Sequence, residues 1–273
     1  MSSISAGTAA GTALVSTGDT SGALQLQVNG TTPSITLAAN GSIGVGSTPG
    51  YGTSGQVLQS NGSSAAPSWV AAGGGFSQAQ IFTSSGSFTV PASGKFKVTI
   101  IGGGGSGAGT TSGSVGTGSG AGGGSVIKWF TGATPSATAT VTIGAGGASV
   151  SGSSVGNSGG SSTFVLSGFS TLTAGGGAGG VSTQIGDTGS SVGGTATNGD
   201  INITGGGGTN TVSTQASATA TGFAGSTILG IGRVEMANIN STGIAGIYGA
   251  GSCGRYNSNA TGNGGTGICI VEY

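Results

Sequence analysis

The sequence contains no histidine, and charged residues occupy only 4% of its 273 positions, against about 25% in an ordinary soluble domain. Five Lys and Arg balance five Asp and Glu. Lys95 and Lys97 are the only basic residues close together, so no cluster exists to neutralise phosphates, and no nucleic-acid partner is expected. No apolar run reaches the roughly 18 residues of a membrane span, so no membrane insertion is expected. The opening MSSISAGTAAGTALV lacks a basic start and a solid apolar stretch and is not read as a secretory signal. Two cysteines without histidine cannot complete a tetrahedral zinc set, and three aspartates are too few for calcium-binding repeats. No metal and no cofactor is expected.

Large apolar residues are also scarce. Leu, Ile, Val and Phe together number 52. Such a chain offers one core little to bury, while each ordered residue costs about 1–2 kcal/mol of backbone entropy. Association, with several chains sharing a core, is the expected remedy.

Glycine is abundant, at 66 residues, and Ile and Val together outnumber Leu 36 to 8. β-Branched residues favour strands, and no window carries a sustained helical period with caps. Leu24, Leu26 and Val28 alternate with glutamines, and Asn29-Gly30 and Asn40-Gly41 separate the next short runs as hairpin turns. Residues 1–72 therefore read as a β-meander, and GGG at 73–75 as a boundary. From residue 76 apolar strand-like segments punctuate glycine tracts: 79–83, 87–90, 95–101, 125–130, 138–143, 162–166, 200–203 and 267–273. The tracts, such as 102–125 and 174–180, fit either Gly/Ser loops or polyproline-II-type helices packed side by side, with glycine where backbones touch. Strict G-X-Y repetition is missing, which rules out collagen. The segment 228–248 carries no assignable pattern.

Motifs for chemistry are weak. DTGS at Asp187–Ser190 has the letters of an aspartic-protease site, but one chain supplies one such carboxylate, without the flanking apolar residues. GNSGG at 156–160 has no histidine to serve as its base. Glycine strings such as Ile143–Gly147 are followed by no helix and no Gly-Lys-Ser/Thr, so nucleotide binding is not expected. An enzyme acting on polysaccharide would need a carboxylate pair, which five scattered acids do not offer. No catalytic residue is assigned. Cys269 alternates within the last strand and reads as a small buried apolar residue. Tyr248, Arg255, Tyr256 and Asn257 lie in a glycine frame and are residue types suited to recognition loops, so they are the candidate receptor contacts.

Two stretches carry a resemblance. GTSGQVLQSNGSSAAPSWV, residues 52–70, resembles a linker-like element of bacteriophage tail fibres. FTSSGSFTVPASGKFKVTIIGGGGSGAG at 82–109, AGGGSVIKWFTGATPSATATVTIGAGG at 121–147 and the ending GNGGTGICIVEY resemble the glycine-rich domain of phage tail and receptor-binding proteins. That likeness implies a structural or adhesive role in the virion. The expectation is a mainly β chain of short antiparallel strands and hairpins with glycine-rich loops or polyglycine-II-like segments, intertwined in a homotrimer. Residues 1–72 would attach to tail or other virion proteins, and 76–273 would face outward to a host glycan or protein. Alternatives are a head fibre or decoration protein and a glycine-rich ice-binding protein, the latter requiring flat, regular Thr or Ala rows.

Overall fold

The computed structural model describes residues 23–28, 32–72, 75–111, 115–184, 190–209, 221–232, 234–236, 243–256 and 260–273. The opening MSSISAGTAAGTALV, the Asn29-Gly30 turn and Asp187 lie outside them. The chain divides into two compact units, Met1–Gly74 and Gly75–Tyr273. No helix occurs among the described residues.

The first unit contains β1 (Leu24–Val28), β2 (Thr32–Leu37), β3 (Ile43–Val45), β4 (Gln56–Gln59) and β5 (Ser68–Ala71). β1, β2 and β3 form an antiparallel sheet, and β4 pairs with β5. The register puts Leu24 beside Leu37 and Ile43, and Leu26 beside Ile35, on one face. These five side chains remain substantially exposed. Asn40-Gly41 makes the turn between β2 and β3, with Gly41 at φ 82°, where a side chain would be strained.

The second unit is built from β6 (Ala79–Phe82), β7 (Gly86–Thr89), β8 (Phe96–Ile101), β9 (Gly109–Thr110), β10 (Val115–Thr117), β11 (Ser125–Phe130), β12 (Thr138–Thr142), β13 (Ser162–Val165), β14 (Leu172–Ala174), β15 (Ser182–Gln184), β16 (Ala196–Thr197), β17 (Ile201–Ile203), β18 (Thr221–Phe223), β19 (Val234–Met236), β20 (Arg255–Tyr256) and β21 (Ile268–Glu272). Ten of them make a sandwich of two five-stranded sheets, ordered β17-β11-β8-β21-β6 and β16-β14-β13-β12-β7. The alternation read in the sequence is the in–out alternation of these strands. Phe96, Val98 and Ile100 are fully buried between the sheets, and Lys97 points away. Phe96 stacks on Phe130 with ring centroids 4.6 Å apart, and Phe88, Phe164, Phe169 and Tyr273 join the ring cluster.

This core closes with residues of a single chain. The scarcity of large apolar side chains is met within this chain by concentrating them between two sheets.

Eight strands run at one end of the sandwich into glycine tracts, or are entered from them. β8 continues into tract 102–109, which returns through 118–124 into β11. β12 and β13 are joined by 144–150 and 154–160, β14 and β16 by 175–181 and 191–195. β17 leads into 205–209, and 260–267 leads into β21. The tracts are ordered. Gly102, Gly105 and Ala108 donate N–H bonds to the carbonyls of Gly124, Ala121 and Gly118, while Gly103, Ser106 and Gly109 donate to Gly160, Asn157 and Ser154. Gly104 donates to Gly265, and Gly107 to the hydroxyl of Ser252. In the first two of these sets every third donor meets the same neighbour, which is the three-residue turn of a polyproline-II-type helix. Through its carbonyls the same tract accepts bonds from Gly147, Gly177, Gly180, Ser252 and Arg255. It is therefore surrounded by six neighbouring tracts. Tract 118–124 is enclosed in the same way, by bonds to 102–109, 175–181, 205–209, 249–255, Gly194 and Gly225. Residues 102–110 and 117–126 are all buried.

Candidate functional site

The direction of each tract is fixed by these bonds. Gly102 and Gly124 lie next to the sandwich, and Ala108 and Gly118 lie at the other end of their tracts. At about 3.1 Å per residue, eight residues carry the chain about 25 Å from the sheets. Gly109 meets Ser154 there, Arg255 N–H donates to Ala108 (2.8 Å), and Thr209 N–H donates to Phe223 (2.9 Å). The described residues that flank the connections at 110–117, 151–153, 182–190, 210–220, 237–242 and 256–259 lie at this distal side. Parts of most of these connections lie outside the described residues.

What is described at the distal end is hydroxyl-rich, with Arg255 and Glu235 its charged residues. Thr111 N–H donates to Ser153 Oγ (3.0 Å), and the two hydroxyls are 2.9 Å apart. Ser154 Oγ donates to the Ser151 carbonyl (3.2 Å). β18 pairs with β19, and Phe223 stands exposed beside Thr209. Among the described residues no group of His, Cys, Asp or Glu is arranged to hold a metal.

The four candidate receptor contacts do not form one loop. Tyr248, with φ 46° and 47% exposed, lies at the sandwich end, where its carbonyl accepts a bond from Thr227 Oγ1 (2.8 Å). Arg255 lies at the distal end and is only 2% exposed. Residues 249–255 between them form an outgoing tract, so about 20 Å of extended backbone separates the two. Arg255 is therefore corrected from a receptor contact to an enclosed residue of the bundle. Tyr256 pairs with Thr110 through its backbone, at the start of a distal connection, and Asn257 lies outside the described residues. The sequence reading missed the distal end as a place because its connections share no residue pattern. They are united only by the topology.

The other motifs are absorbed by packing. GNSGG is tract 154–160, where Asn157 N–H donates to Ser106 Oγ (2.8 Å). Ile143–Gly147 opens a tract in which Gly147 N–H reaches the Gly104 carbonyl (2.8 Å). Cys253 and Cys269 are both buried thiols, and burial pushes Cys269 up to about 12. Asp200 accepts the Trp129 backbone N–H (2.8 Å) and faces Lys128 Nζ (3.3 Å); the Trp129 bond, against the opposing loss of solvation and with help from Lys128, holds its carboxyl below the usual carboxylate range.

The outer face of the β16-β14-β13-β12-β7 sheet carries the threonine row that an ice-binding reading requires. Thr142, Thr163, Thr173 and Thr197 face out side by side. Adjacent strands rotate by roughly 20–25°, however, so four strands turn the row by about 60–75°. A flat crystal plane cannot follow it.

Fold and site together define a class: a β-sandwich whose strands extend into a hexagonally packed glycine bundle. A family model described as a glycine-rich domain matches residues 82–273, and the chain belongs to that family. Compared with curated proteins, the chain matches none.

Proposed function

We propose that this chain is a non-enzymatic virion protein, a short bacteriophage tail fibre or adhesin that contacts the host surface with the distal end of its glycine bundle. The observation that carries the reading is topological. The glycine tracts of the second unit form a hydrogen-bonded support, and the tract ends that flank six connections lie together at one end, where sequence can vary without disturbing the tracts. Recognition residues sit on loops held by rigid scaffolds for this reason. The residues flanking these connections are mostly hydroxyl-bearing or small, with Arg255 enclosed, which suits a hydroxyl-rich glycan or the polar part of a surface protein. Tyr256 and Asn257 belong to one connection and keep their place in the proposal.

The first unit has the features of the attaching end. Leu24, Leu26, Ile35, Leu37 and Ile43 share an uncovered sheet face, and an apolar face of that kind invites a protein partner. We assign it to tail or other virion proteins through residues 1–72. A head fibre or decoration protein is the alternative, with the same parts at a different place on the particle.

Two experiments test this. Antibody labelling of intact particles in the electron microscope should mark the tail tip with this chain. Label on the capsid would favour the head-fibre reading, and no label on particles would end both. Purified full-length protein, added to host cells first, should slow particle adsorption. Substituting Phe223→Ala with Ser153→Arg at the distal end should weaken that competition at least about tenfold, on the scale of one truncated hot spot. Competition unchanged by these substitutions would place recognition elsewhere.

A further inference from the structure

The two outer faces of the sandwich differ in a way that the fold itself does not require. Outside the β16-β14-β13-β12-β7 sheet stand Ser87, Thr89, Thr138, Thr140, Thr142 and Thr163, as expected where a sheet meets water. Outside the β17-β11-β8-β21-β6 sheet, the central row runs Ile201, Ile127, Thr99, Ile270, Ile81 in continuous register across all five strands. Four of its five positions are isoleucine. Ile81 is 60% exposed and Ile201 42%. The next row adds Trp129, 45% exposed, beside Lys97 and Glu272. One chain thus provides both a hydrated face and an apolar one, and the hydrated face is the control for the other.

We propose that the isoleucine face is an association surface, and that its occupant is another copy of this chain. Charge supports a like partner. Lys97 Nζ lies 2.6 Å from Glu272 Oε2, and Lys128 bonds Asp200, so these four charges are neutralised within the chain and Lys95, at the entrance to β8, is the charge that remains beside the face among the described residues. Two copies meet with little repulsion, and a charged partner finds little to complement. Area supports it as well. Five strands about 4.8 Å apart and five residues long at about 3.3 Å each give a face of about 400 Å². Beside it, Thr227 and Gly249 cover the outward side chain of Ile101, and Ile228, Leu229, Ile231 and Ile247 on the same segments are exposed, Ile231 to 78%. With them the apolar surface approaches the roughly 800 Å² that each partner contributes to a stable interface. Closure by symmetry would stop growth at a dimer or trimer.

The test uses the full chain. Its mass is measured by native mass spectrometry and light scattering at about 10 µM. The wild type should be a closed oligomer. Ile81→Lys with Ile201→Lys places charges on two exposed edge positions, outside the core. That variant should associate at least about a hundredfold more weakly while keeping the wild-type far-ultraviolet circular dichroism, which shows that the sandwich still folds. Thr140→Lys with Thr197→Lys, on the opposite face, should keep the wild-type mass. A third readout does not depend on charge: Ile81→Cys supplies an exposed thiol, the native two being buried, and a short bismaleimide should join copies through it. A monomeric wild type overturns the proposal, as does equal dissociation by the threonine-face control. Failure of Ile81→Cys to cross-link beyond wild type, in a chain that does associate, places the interface elsewhere and overturns it too.

Discussion

Gly105 is a glycine for a reason different from that at Gly132. A Cβ built on Gly105 would lie 2.1 Å from the Ala178 carbonyl oxygen and 2.5 Å from its carbon, both backbone atoms that cannot turn aside. Gly105 has no positive φ; what it needs is space. Gly132 has open space around it but sits at φ 73°, a conformation that costs an L side chain about 1–2 kcal/mol. Gly105→Ala should therefore destabilise the protein by more than about 4 kcal/mol, in the range reserved for severe core disruption, and Gly132→Ala by about 1–2 kcal/mol. Denaturant unfolding of the two variants against wild type decides it; equal effects would mean that the tracts yield easily. Cys269 makes a second residue-scale case. Its thiol is buried between sheets and its proton held up to about 12 by loss of solvation, so almost no thiolate is present at neutral pH. A thiol reagent should leave Cys269 untouched in the native protein and modify it on unfolding. Labelling followed by peptide mass spectrometry checks this.

The glycine tract and the strand are one continuous element with two kinds of neighbour. In the strand, hydrogen bonds lie in a sheet and side chains fill the space between sheets. In the tract, bonds radiate to neighbours on all sides and, glycine apart, the buried positions of 102–109 and 118–124 hold only Ser and Ala. Ser162 stands at the change. Its hydroxyl donates to the Ile101 carbonyl (2.8 Å) and accepts the Gly144 N–H (2.9 Å), with no solvent exposure. Ser162→Ala removes both bonds and leaves buried polar groups without them, which should cost about 1–3 kcal/mol by thermal unfolding. A change below about 0.5 kcal/mol would show that backbone bonds alone make the junction. The strands were legible in advance because alternation is written in side chains: the segments 95–101 and 125–130 appear as Phe96–Ile101 and Ser125–Phe130. The tracts stayed open between loop and helix because their three-fold order is written in backbone donors, and glycine shows no side-chain period to read. Tyr248 and Arg255 were grouped for the same reason. The glycines between them looked like a loop and are a spacer.

At the scale of the molecule, the absence of histidine becomes a thermodynamic property. Stability changes with pH only where folded and unfolded chains bind different numbers of protons. On the acid side, Asp200 has a lowered pKa through the Trp129 N–H and Lys128. A depressed carboxylate contributes above its unfolded value of about 3.9, and that contribution fades as pH falls through the lower folded value. On the alkaline side, Cys269 is raised to about 12 from an unfolded value of about 8.5. The raised group contributes fully below about 8.5, and the contribution is lost as pH rises, because the unfolded chain releases its proton first. With no histidine in the chain, no side chain has its ordinary pKa between about pH 5 and 8, and two ion pairs among the described residues offer salt little to screen. The melting temperature should therefore be level from about pH 5 to 8 and nearly the same at low and at molar salt. It should then fall above about pH 8.5, with a slope approaching 1.4 kcal/mol per pH unit for one buried thiol. Cys269→Ala should lower the plateau, since it leaves a small cavity in the core, yet flatten the alkaline limb. A variant whose limb is as steep as wild type would show that another group carries the alkaline loss. A wild type whose stability bends between pH 5 and 8 would mean that the charge-poor bundle and sandwich do not behave as a single neutral body.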